Sequence, residues 1–517
     1  MTDEQPTSRR AAREAAKRGG KPQSAAPVAD AAQRADAPAR TGGIGALLRR
    51  HPVAWLASAG VLVFALLGTG AVFAGVAWAS RDDDIIVAET SPTPTEDPAR
   101  AVSDQPATAI RLRTCSVAAA ASDSRLMSLE AYVMRADTGE VLFDRSGTTP
   151  ARTASVLKVF TAAAAIARLG ADFQITTSVY QGSSADTIVL VGRGDATLSA
   201  LPVGQESVYA GAPKLQTLAE DTIAAFQTAH PGELITQLVL DASYWSPADK
   251  WDDSWNRSEQ TIGYHSEVTA LQVDGDRADP TAVTSPRSTD PIGRAGAAFI
   301  SALLAADTTG TVVDPAITTS LGTAVGSTTL AEAKSQPLRV LIPQMLLPSD
   351  NTLAEMLARI VSKESGMSGS ASSLQQAIPS ALSSFNVPAA GLTIRDGSGL
   401  SALNAVPAAT MTDFMRQVRD GANGLDVIRD GLPVAGASGT LAGRFTGDNA
   451  VARGNVFAKS GWIDTAYTLA GYLNAADGTP LTFTFYAIGD GIQSTARAAL
   501  DTLTTAVFRC GDNLSNN

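Results

Sequence analysis

SVLKVFTAAAAIARL, residues 155–169, is an unbroken run of helix-forming and apolar residues, and Gly170 follows it. The run predicts a helix that ends at this glycine. Ser155 and Lys158 are three residues apart at its start, so their side chains lie on one face, a turn apart. A serine hydroxyl needs a base to become a good nucleophile, and a lysine withdrawn from water can serve as one. The run therefore predicts a serine nucleophile paired with a lysine base.

A second motif, Ser349-Asp350-Asn351, follows Pro348 and opens a helical pattern at 352–364. A short polar loop at this place can aim a hydroxyl and an amide into a cleft. We expect Ser349 to relay a proton and Asn351 to hold an amide group of the substrate. Taken alone, the motif is more typical of a plain helix N-cap, because Ser, Asp and Asn all favour that position.

A third motif, Lys459-Ser460-Gly461, ends a predicted strand at 455–459. A cation beside a hydroxyl can bind a terminal carboxylate, and a glycine lets a substrate backbone approach an edge strand. Each motif alone also has an ordinary structural interpretation, which for the first is an N-cap serine followed by a surface lysine. All three motifs in this order are typical of a serine acyl-transfer site of the penicillin-binding type.

Length and composition indicate a protein of two or more domains with a sizeable core. The chain has 517 residues, and 44% of them are apolar. A net charge of −11 disfavours nucleic acid as a partner. The 3 histidines leave little from which to build a His-rich metal site or a His-dependent triad. We expect no metal and no cofactor.

The N-terminal region predicts a membrane anchor. Residues 1–51 are basic and poor in large apolar side chains, which predicts a disordered tail, while 52–80 carry no charge and are long enough to cross a bilayer. Arg49 and Arg50 precede this segment and acidic residues follow it, which predicts a cytoplasmic N-terminus, a single pass through the cell membrane and a body outside. A cleaved signal peptide is the alternative. Residues 81–108 read as a Pro/Thr-rich linker.

Strand and helix patterns in the rest of the chain predict an α+β architecture. A hairpin at 129–143, strands at 468–473 and 481–488 and a helix at 494–509 fit a sheet covered by a terminal helix. The region between the first two motifs has strand-like runs and few long helices. We therefore expect one domain built from 109–174 and 300–517, split by an inserted, mostly β module at 175–299.

The two cysteines, Cys115 and Cys510, stand near the two ends of the region that is expected to fold. In an oxidising compartment they could pair and tie these ends together. Two unpaired thiols are the alternative. The predicted location outside the cell favours the disulfide.

On these motifs the chain resembles the class C D-alanyl-D-alanine carboxypeptidases/endopeptidases of the penicillin-binding protein 4 type. The resemblance runs from about Ser128 to Phe508 and includes the stretches GRGDATL (192–198), DGSGLS (396–401) and LPVAGASGTLAGRF (432–445). It implies a penicillin-binding/β-lactamase-like transpeptidase domain split by an inserted module. It also implies a peptidoglycan peptide as substrate and β-lactams as covalent inhibitors.

The resemblance assigns roles to single residues. Ser155 is the acylated nucleophile and Lys158 its base, with Ser349, Asn351 and Lys459 completing the catalytic set. The substrate-binding set consists of Ser460, Gly461, Trp462, Asp241 and Ser398. Backbone N–H groups of the nucleophile and of the residue at 462 form the oxyanion hole in this family. For Asp241, whose family role is to face a free amine of the substrate, a strand-end turn is an equally good interpretation.

The chain departs from the family pattern in three places. Ser460 replaces the usual threonine and keeps its hydroxyl. Trp462 stands where relatives carry a small hydroxyl residue, so we expect it to narrow the substrate pocket. Ala402 follows DGSGLS where an arginine is common, which leaves the preference for the stem-peptide side chain open.

The sequence thus predicts a serine-type D-Ala-D-Ala carboxypeptidase that works through an acyl-enzyme. Endopeptidase action on the same wall peptides stays open. One alternative is a membrane-tethered wall-binding protein that kept the fold and lost turnover, for which Trp462 and Ala402 are the support. A β-lactamase is less well supported, because no deacylating glutamate motif of the class A type is found.

Overall fold

The computed structural model describes residues 112–325 and 328–516. The predicted basic tail at 1–51, the hydrophobic segment at 52–80 and the linker at 81–108 lie outside these ranges. Among the described residues, no helix combines the length and the apolar character that a membrane crossing needs.

The strands of the described ranges fall into two large sheets and two short pairs. In chain order they are β1 (Cys115–Ser116), β2 (Ser128–Arg135), β3 (Val141–Arg145), β4 (Pro150–Ala151), β5 (Thr176–Gln181), β6 (Thr187–Val191), β7 (Ile235–Asp241), β8 (Val313–Leu321), β9 (Thr329–Lys334), β10 (Val406–Pro407), β11 (Val456–Ile463), β12 (Ala466–Asn474), β13 (Pro480–Ile488) and β14 (Leu514–Ser515).

The helices lie between these strands and cover both large sheets. They are α1 (Ala118–Ala121), α2 (Lys158–Leu169), α3 (Leu215–Ala229), α4 (Ser258–Ile262), α5 (Pro291–Ala306), α6 (Leu338–Leu346), α7 (Asn351–Glu364), α8 (Leu374–Leu382), α9 (Ala408–Asp420), α10 (Asp426–Gly431) and α11 (Ala496–Cys510).

The first five-stranded sheet has the strand order β11-β12-β13-β2-β3 and is antiparallel throughout. Its strands come from two separate parts of the chain, residues 128–145 and 456–488. Side chains alternate between the two faces of a sheet. Phe483 and Phe485 pack in the apolar cluster that includes α11, whereas Tyr486 packs in the cluster that includes α2, α7 and α9. The sheet is therefore a central layer with helices on both faces.

The first sheet and its helices confirm the local predictions from sequence. The hairpin expected at 129–143 is formed by β2 and β3, and the helices expected at 352–364 and 494–509 are α7 and α11. Helix α2 ends at Leu169, and Gly170 follows with a φ of +83°. Glycine reaches this left-handed conformation at low cost, which explains why the helix ends at this residue.

The second five-stranded sheet has the order β8-β7-β6-β5-β9, and its three strands β6, β7 and β8 run parallel. Parallel neighbours need a crossover connection. Helices α3 and α5 provide these crossovers and pack on the sheet in an apolar cluster that contains Phe226 and Phe299. All of the strands of this sheet lie between the first and second sequence motifs.

The structure differs from the sequence prediction for this segment in two respects. The sequence predicts a mostly β module, whereas α3 and α5 are 15 and 16 residues long and make it mixed α/β. The predicted boundary at 299 falls inside α5, and β8 and β9 continue the same sheet to Lys334. Strand β8 lacks a strand-like pattern because it carries Pro315 and several polar residues, which an edge strand tolerates.

Cys115 and Cys510 form a disulfide in the structure, with their Cα atoms 5.5 Å apart. The bridge joins the end of α11 to β1, and β1 also pairs in parallel with β14. The pairing expected from sequence is thus present, and the two ends of the described chain are held together.

Replacing both cysteines with serine is expected to lower the free energy of unfolding by about 2–5 kcal/mol, because the bridge restricts the unfolded chain. The bridged residues are 395 positions apart, so the restricted loop is long. Urea unfolding of the wild type, the double variant and reduced wild type measures the effect. The reduced wild type should unfold at the same midpoint as the variant, and equal midpoints for all three proteins would contradict the expectation.

Candidate active site

Ser155 lies in a tight 3-10 turn, Ala154–Leu157, directly before α2, and is 3% exposed. Gly461 on β11 faces this turn. A Cβ atom built at position 461 would lie 2.7 Å from the backbone N of Ser155, so only glycine fits there. The first and third motifs are therefore in direct contact, and the lack of a side chain at Gly461 allows the Ser155 turn to approach β11 closely.

Lys158 is fully buried, and its Nζ lies 3.0 Å from Ser155 Oγ. The same nitrogen lies 2.7 Å from Asn351 Oδ1 and 2.6 Å from the carbonyl oxygen of Ser398. A neutral amine has two N–H donors and one lone pair. When Asn351 and Ser398 accept the two N–H groups, the lone pair is left for the Ser155 hydroxyl. This geometry suits a general base that takes the proton of the nucleophile.

The second motif is fixed at the start of α7. The Asp350 carboxylate accepts a hydrogen bond from Leu353 N and caps the helix, which puts Asn351 at its first turn beside Lys158. Ser349, directly before it, has a φ of +65°, a conformation that is costly for a residue with a side chain. Asp350 holds this loop by accepting a second hydrogen bond from the Arg277 guanidinium at 2.6 Å.

The Asp350 carboxylate is buried together with its partners from the second-sheet segment. Tyr209 donates its hydroxyl to the same carboxylate at 2.9 Å. Burial by itself raises the pKa of Asp350, but the positive charges of Arg277 and Arg287 outweigh it and hold this pKa below its usual range. The segment between the first two motifs thus anchors the second motif through a buried ion pair.

The third motif places a second buried lysine in the site. Lys459 Nζ donates to Ser349 Oγ at 2.9 Å and to the carbonyl oxygen of Ser460 at 2.8 Å. The Ser460 hydroxyl lies 2.7 Å from that of Thr440. Lys459 therefore bridges the second and third motifs, and the two hydroxyls lie together at the rim.

Strand β11 is an edge strand of the first sheet. Its Ala458 N–H points away from β12 and donates to the carbonyl oxygen of Pro433. Because backbone groups alternate along a strand, the N–H groups of Ser460 and Trp462 point to the same outer edge. An extended peptide can pair with such an edge.

The indole of Trp462 lies away from the face that Gly461 turns toward Ser155. It packs against Tyr467, with ring centroids 6.0 Å apart, and against the apolar cluster on the α11 side of the sheet. Successive side chains of a strand point to opposite faces, which accounts for this placement. The contacts of the indole therefore do not support the expectation that it narrows the pocket, whereas its backbone remains at the edge.

Asp241 makes its hydrogen bonds outside the three motifs. It ends β7, and its carboxylate accepts hydrogen bonds from the backbone N of Ser243 and of Ala324. It lines a cleft of about 550 Å³ together with Lys363. Lys363 lies 12 residues beyond Asn351 on α7, so about 18 Å along the helix axis separates these two residues. These contacts match the strand-end interpretation of this aspartate.

Ser398 contributes to the site through its backbone. Its carbonyl oxygen accepts from Lys158, while its hydroxyl accepts from Leu400 N within the loop 396–401. Two carboxylates that the sequence analysis missed support this loop. Glu355 accepts from the backbone N of Ser398, and Asp396 accepts from the backbone N of Gly399.

The Trp/Asp-rich loop at 251–255 also supports the site. Trp255 donates its indole N–H to Asp396 at 2.8 Å, and Ser254 donates to Ser401 at 2.7 Å. The sequence shows this loop as an unusual run, WDDSW, but no local pattern shows which part of the chain it contacts. Across the described ranges, no group of three or more His, Cys, Asp or Glu side chains is arranged to hold a metal ion.

Burial, and then the charge of Asp396, raise the pKa of Glu355 to about 7. A carboxylic acid with a raised pKa binds its proton more tightly in the folded protein than in the unfolded chain. The contribution of Glu355 to the free energy of unfolding therefore falls as pH rises from the ordinary glutamate pKa of about 4.3 to about 7. Glu355→Gln removes this loss. The melting temperature of Glu355→Gln minus that of wild type is expected to increase between about pH 4.3 and pH 7 and to level off at higher pH. A difference that does not vary with pH would contradict the expectation.

Comparison with known proteins agrees with this geometry. Residues 114–291 and 281–507 match the D-Ala-D-Ala carboxypeptidase 3 (S13) family. The chain is 32% identical to the carboxypeptidase DacB of Mycolicibacterium smegmatis over 87% of its own length and 95% of that protein. It is 34% identical to a carboxypeptidase of Mycobacterium tuberculosis over 77% of its own length and 84% of that protein.

Solved structures show the same mixed α/β fold. Penicillin binding protein 4 of Haemophilus influenzae superposes with a TM-score of 0.62 at 21% identity, over 76% of this chain and 98% of that protein. The same protein complexed with a β-lactam superposes with a TM-score of 0.57 at 20% identity, over the same shares of the two chains. Because the family match covers most of the chain and the three motifs meet in one site, the chain belongs to the D-Ala-D-Ala carboxypeptidase 3 (S13) family.

Proposed function

We propose that the chain is a serine-type D-Ala-D-Ala carboxypeptidase that acts on peptidoglycan stem peptides through an acyl-enzyme. The observation that carries this proposal is the arrangement at Lys158, whose Nζ lies 3.0 Å from Ser155 Oγ while Asn351 and Ser398 accept its other hydrogen bonds. Family membership supplies the substrate class, and the site supplies a nucleophile and a base in contact.

In the first half-reaction Ser155 Oγ attacks the carbonyl carbon of the penultimate D-Ala and its proton passes to Lys158. The oxyanion is expected to lie toward the backbone N–H groups of Ser155 and Trp462, the pair that forms the oxyanion hole in this family. The C–N bond then breaks, and the proton returns to the departing amine with the Ser349 hydroxyl as relay. Free D-Ala leaves, and Ser155 carries the acyl group.

In the second half-reaction a water molecule attacks the ester carbonyl. Lys158 takes a proton from this water and returns it to Ser155 Oγ as the C–O bond breaks. The terminal carboxylate of the substrate is expected to lie at the rim formed by Ser460 and Thr440, close to the positive charge of Lys459. The substrate backbone pairs with the outer edge of β11.

Two assays on the purified chain test the proposal together. The first is covalent labelling by a fluorescent penicillin, which relies on the resemblance of a β-lactam to the D-Ala-D-Ala terminus. The second is release of D-Ala from a synthetic pentapeptide that ends in D-Ala-D-Ala. Labelling together with release supports a carboxypeptidase. Labelling without release would support the wall-binding alternative, and neither signal would remove the proposal.

The domain division and the location of the chain form the second part of the proposal. The peptidase domain is split by a module that occupies the second-sheet segment, from Thr176 to Lys334. The segment 52–80 anchors the chain in the cell membrane, with the N-terminus in the cytoplasm and the described body outside. Its support is the uncharged sequence itself and the basic residues that precede it.

Protease added to intact protoplasts tests this topology, because an external body is digested and a cytoplasmic one is protected. The disulfide between Cys115 and Cys510 is consistent with an oxidising compartment. A second measurement, the partition of the chain between membrane and soluble fractions, separates an uncleaved anchor from a cleaved signal peptide. Full protection of the body in protoplasts would contradict the proposed orientation.

A further inference from the structure

A buried glutamate lies one helical turn beyond Asn351 on α7. Glu355 is 1% exposed, and its Oε1 accepts hydrogen bonds from the backbone N of Gly397 at 2.9 Å and of Ser398 at 2.7 Å. Neither Glu355 nor this pair of contacts takes part in the chemical steps described above. The carboxylate fixes the backbone of the loop that runs beside the base.

The same loop residue links Glu355 to the general base. The N–H of Ser398 donates to Glu355, and its carbonyl oxygen accepts from Lys158 Nζ at 2.6 Å. Helix α7 therefore places two of the oxygens that accept from the lysine, since it carries Asn351 itself and holds the Ser398 backbone through Glu355. A shift of the Ser398 carbonyl would free an N–H of the lysine and let its lone pair turn away from Ser155.

We propose that Glu355 is a positioning residue for Lys158, because it holds the Ser398 carbonyl where this oxygen accepts an N–H of the base. The inference rests on the proposed function of Lys158 as general base. It assigns Glu355 no contact with the substrate. It also explains why a carboxylate is placed at a fully buried position of α7, where an apolar residue would pack at lower cost.

Two charged groups that face Glu355 influence its protonation: Asp396 approaches from the loop 396–401 and Arg359 from the next turn of α7. Lys158 lies on the far side of the Ser398 peptide. Because its pKa is raised to about 7, Glu355 changes protonation near neutral pH. The ionised form accepts hydrogen bonds from backbone N–H groups more strongly than the neutral form does. The hold on Ser398 is therefore expected to tighten as pH rises through this value.

The test compares acylation of four proteins by benzylpenicillin at pH 5.5–8.5: wild type, Glu355→Ala, Glu355→Gln and the control Glu364→Ala. Glu364 is an exposed glutamate at the end of the same helix. Glu355→Ala leaves two buried N–H groups without their acceptor, and we expect its second-order acylation rate to fall about 30-fold or more. Glu364→Ala should stay within about 3-fold of wild type.

Glu355→Gln keeps the acceptor oxygen and loses the charge. Its acylation rate should stay close to wild type at pH 5.5, and the ratio of wild type to variant should rise as pH passes through about 7. A merely structural glutamate would not produce this pH dependence. A constant ratio across the pH range overturns the proposal. The Glu355→Gln measurement remains decisive even in the case that Glu355→Ala does not fold. Failure of the proposed function itself would show separately, as absence of penicillin labelling in the wild type.

Discussion

Ser155→Ala is expected to abolish covalent labelling by penicillin and to reduce D-Ala release by about 10⁴-fold or more, because the variant has no atom that can carry the acyl group. The site around it should remain intact, since Lys158 keeps its contacts with Asn351 and Ser398. The measurement is a fluorescent penicillin gel together with a D-Ala release assay. Ser372→Ala, which removes a hydroxyl from an exposed position, serves as the control.

Lys158→Met separates the nucleophile from its base. It keeps Ser155 and fills the buried volume with an unbranched apolar side chain, so the fold should be retained. Labelling should become slower by about 10²-fold or more, because general base catalysis contributes on that scale. Continued labelling of Ser155→Ala at the wild-type rate would show that another residue is acylated and would remove the assignment of the nucleophile.

The motifs and the elements that carry them could be predicted from sequence because they are local. Ser155 and Lys158 are related by one helical turn, and the strand near the third motif shows its pattern within a few residues. The sequence predicts that the third motif ends that strand at 459, but the motif lies inside β11, which continues to Ile463. The spacing of the three motifs along the sequence could not show that they lie in one cleft. That expectation came from the family resemblance, and the structure brings the motifs together as the resemblance implies.

The remaining features depend on contacts between distant parts of the chain. The face on which Trp462 lies follows from the phase of β11, which is set by its pairing with β12 and not by the tripeptide before it. Asp241 ends a strand, which agrees with one of its two interpretations, whereas its place relative to Ser155 depends on how the second sheet packs. Glu355 looks like an ordinary residue of an amphipathic helix in the sequence, and only the folded loop at 396–401 shows what it binds.

Asp350→Ala is expected to lower the free energy of unfolding by about 3–5 kcal/mol, because it leaves the Arg277 guanidinium buried without its counter-charge. Arg277 is 3% exposed, and its Nη2 lies 2.6 Å from the Asp350 carboxylate. The variant also loses the cap of α7 that Asp350 provides to Leu353 N. Urea unfolding measures the loss, and Asp221→Ala, at an exposed position on α3, should change stability by less than about 0.5 kcal/mol.

The same variant should also slow acylation, because Asp350 holds Ser349 at its positive φ and Asn351 beside Lys158.

The variants Asp350→Asn and Arg277→Met, made singly and together, separate the effect of charge from that of shape. The double variant should lose less free energy of unfolding than the two single losses add up to, because it removes both buried charges. The pKa of Asp350 in the folded protein lies below its usual range. Its contribution to the free energy of unfolding is therefore present above about pH 4 and is lost as pH falls toward that lower pKa. Additive losses in the double variant, or an unchanged acylation rate in Asp350→Ala, would mean that the ion pair does not anchor the second motif.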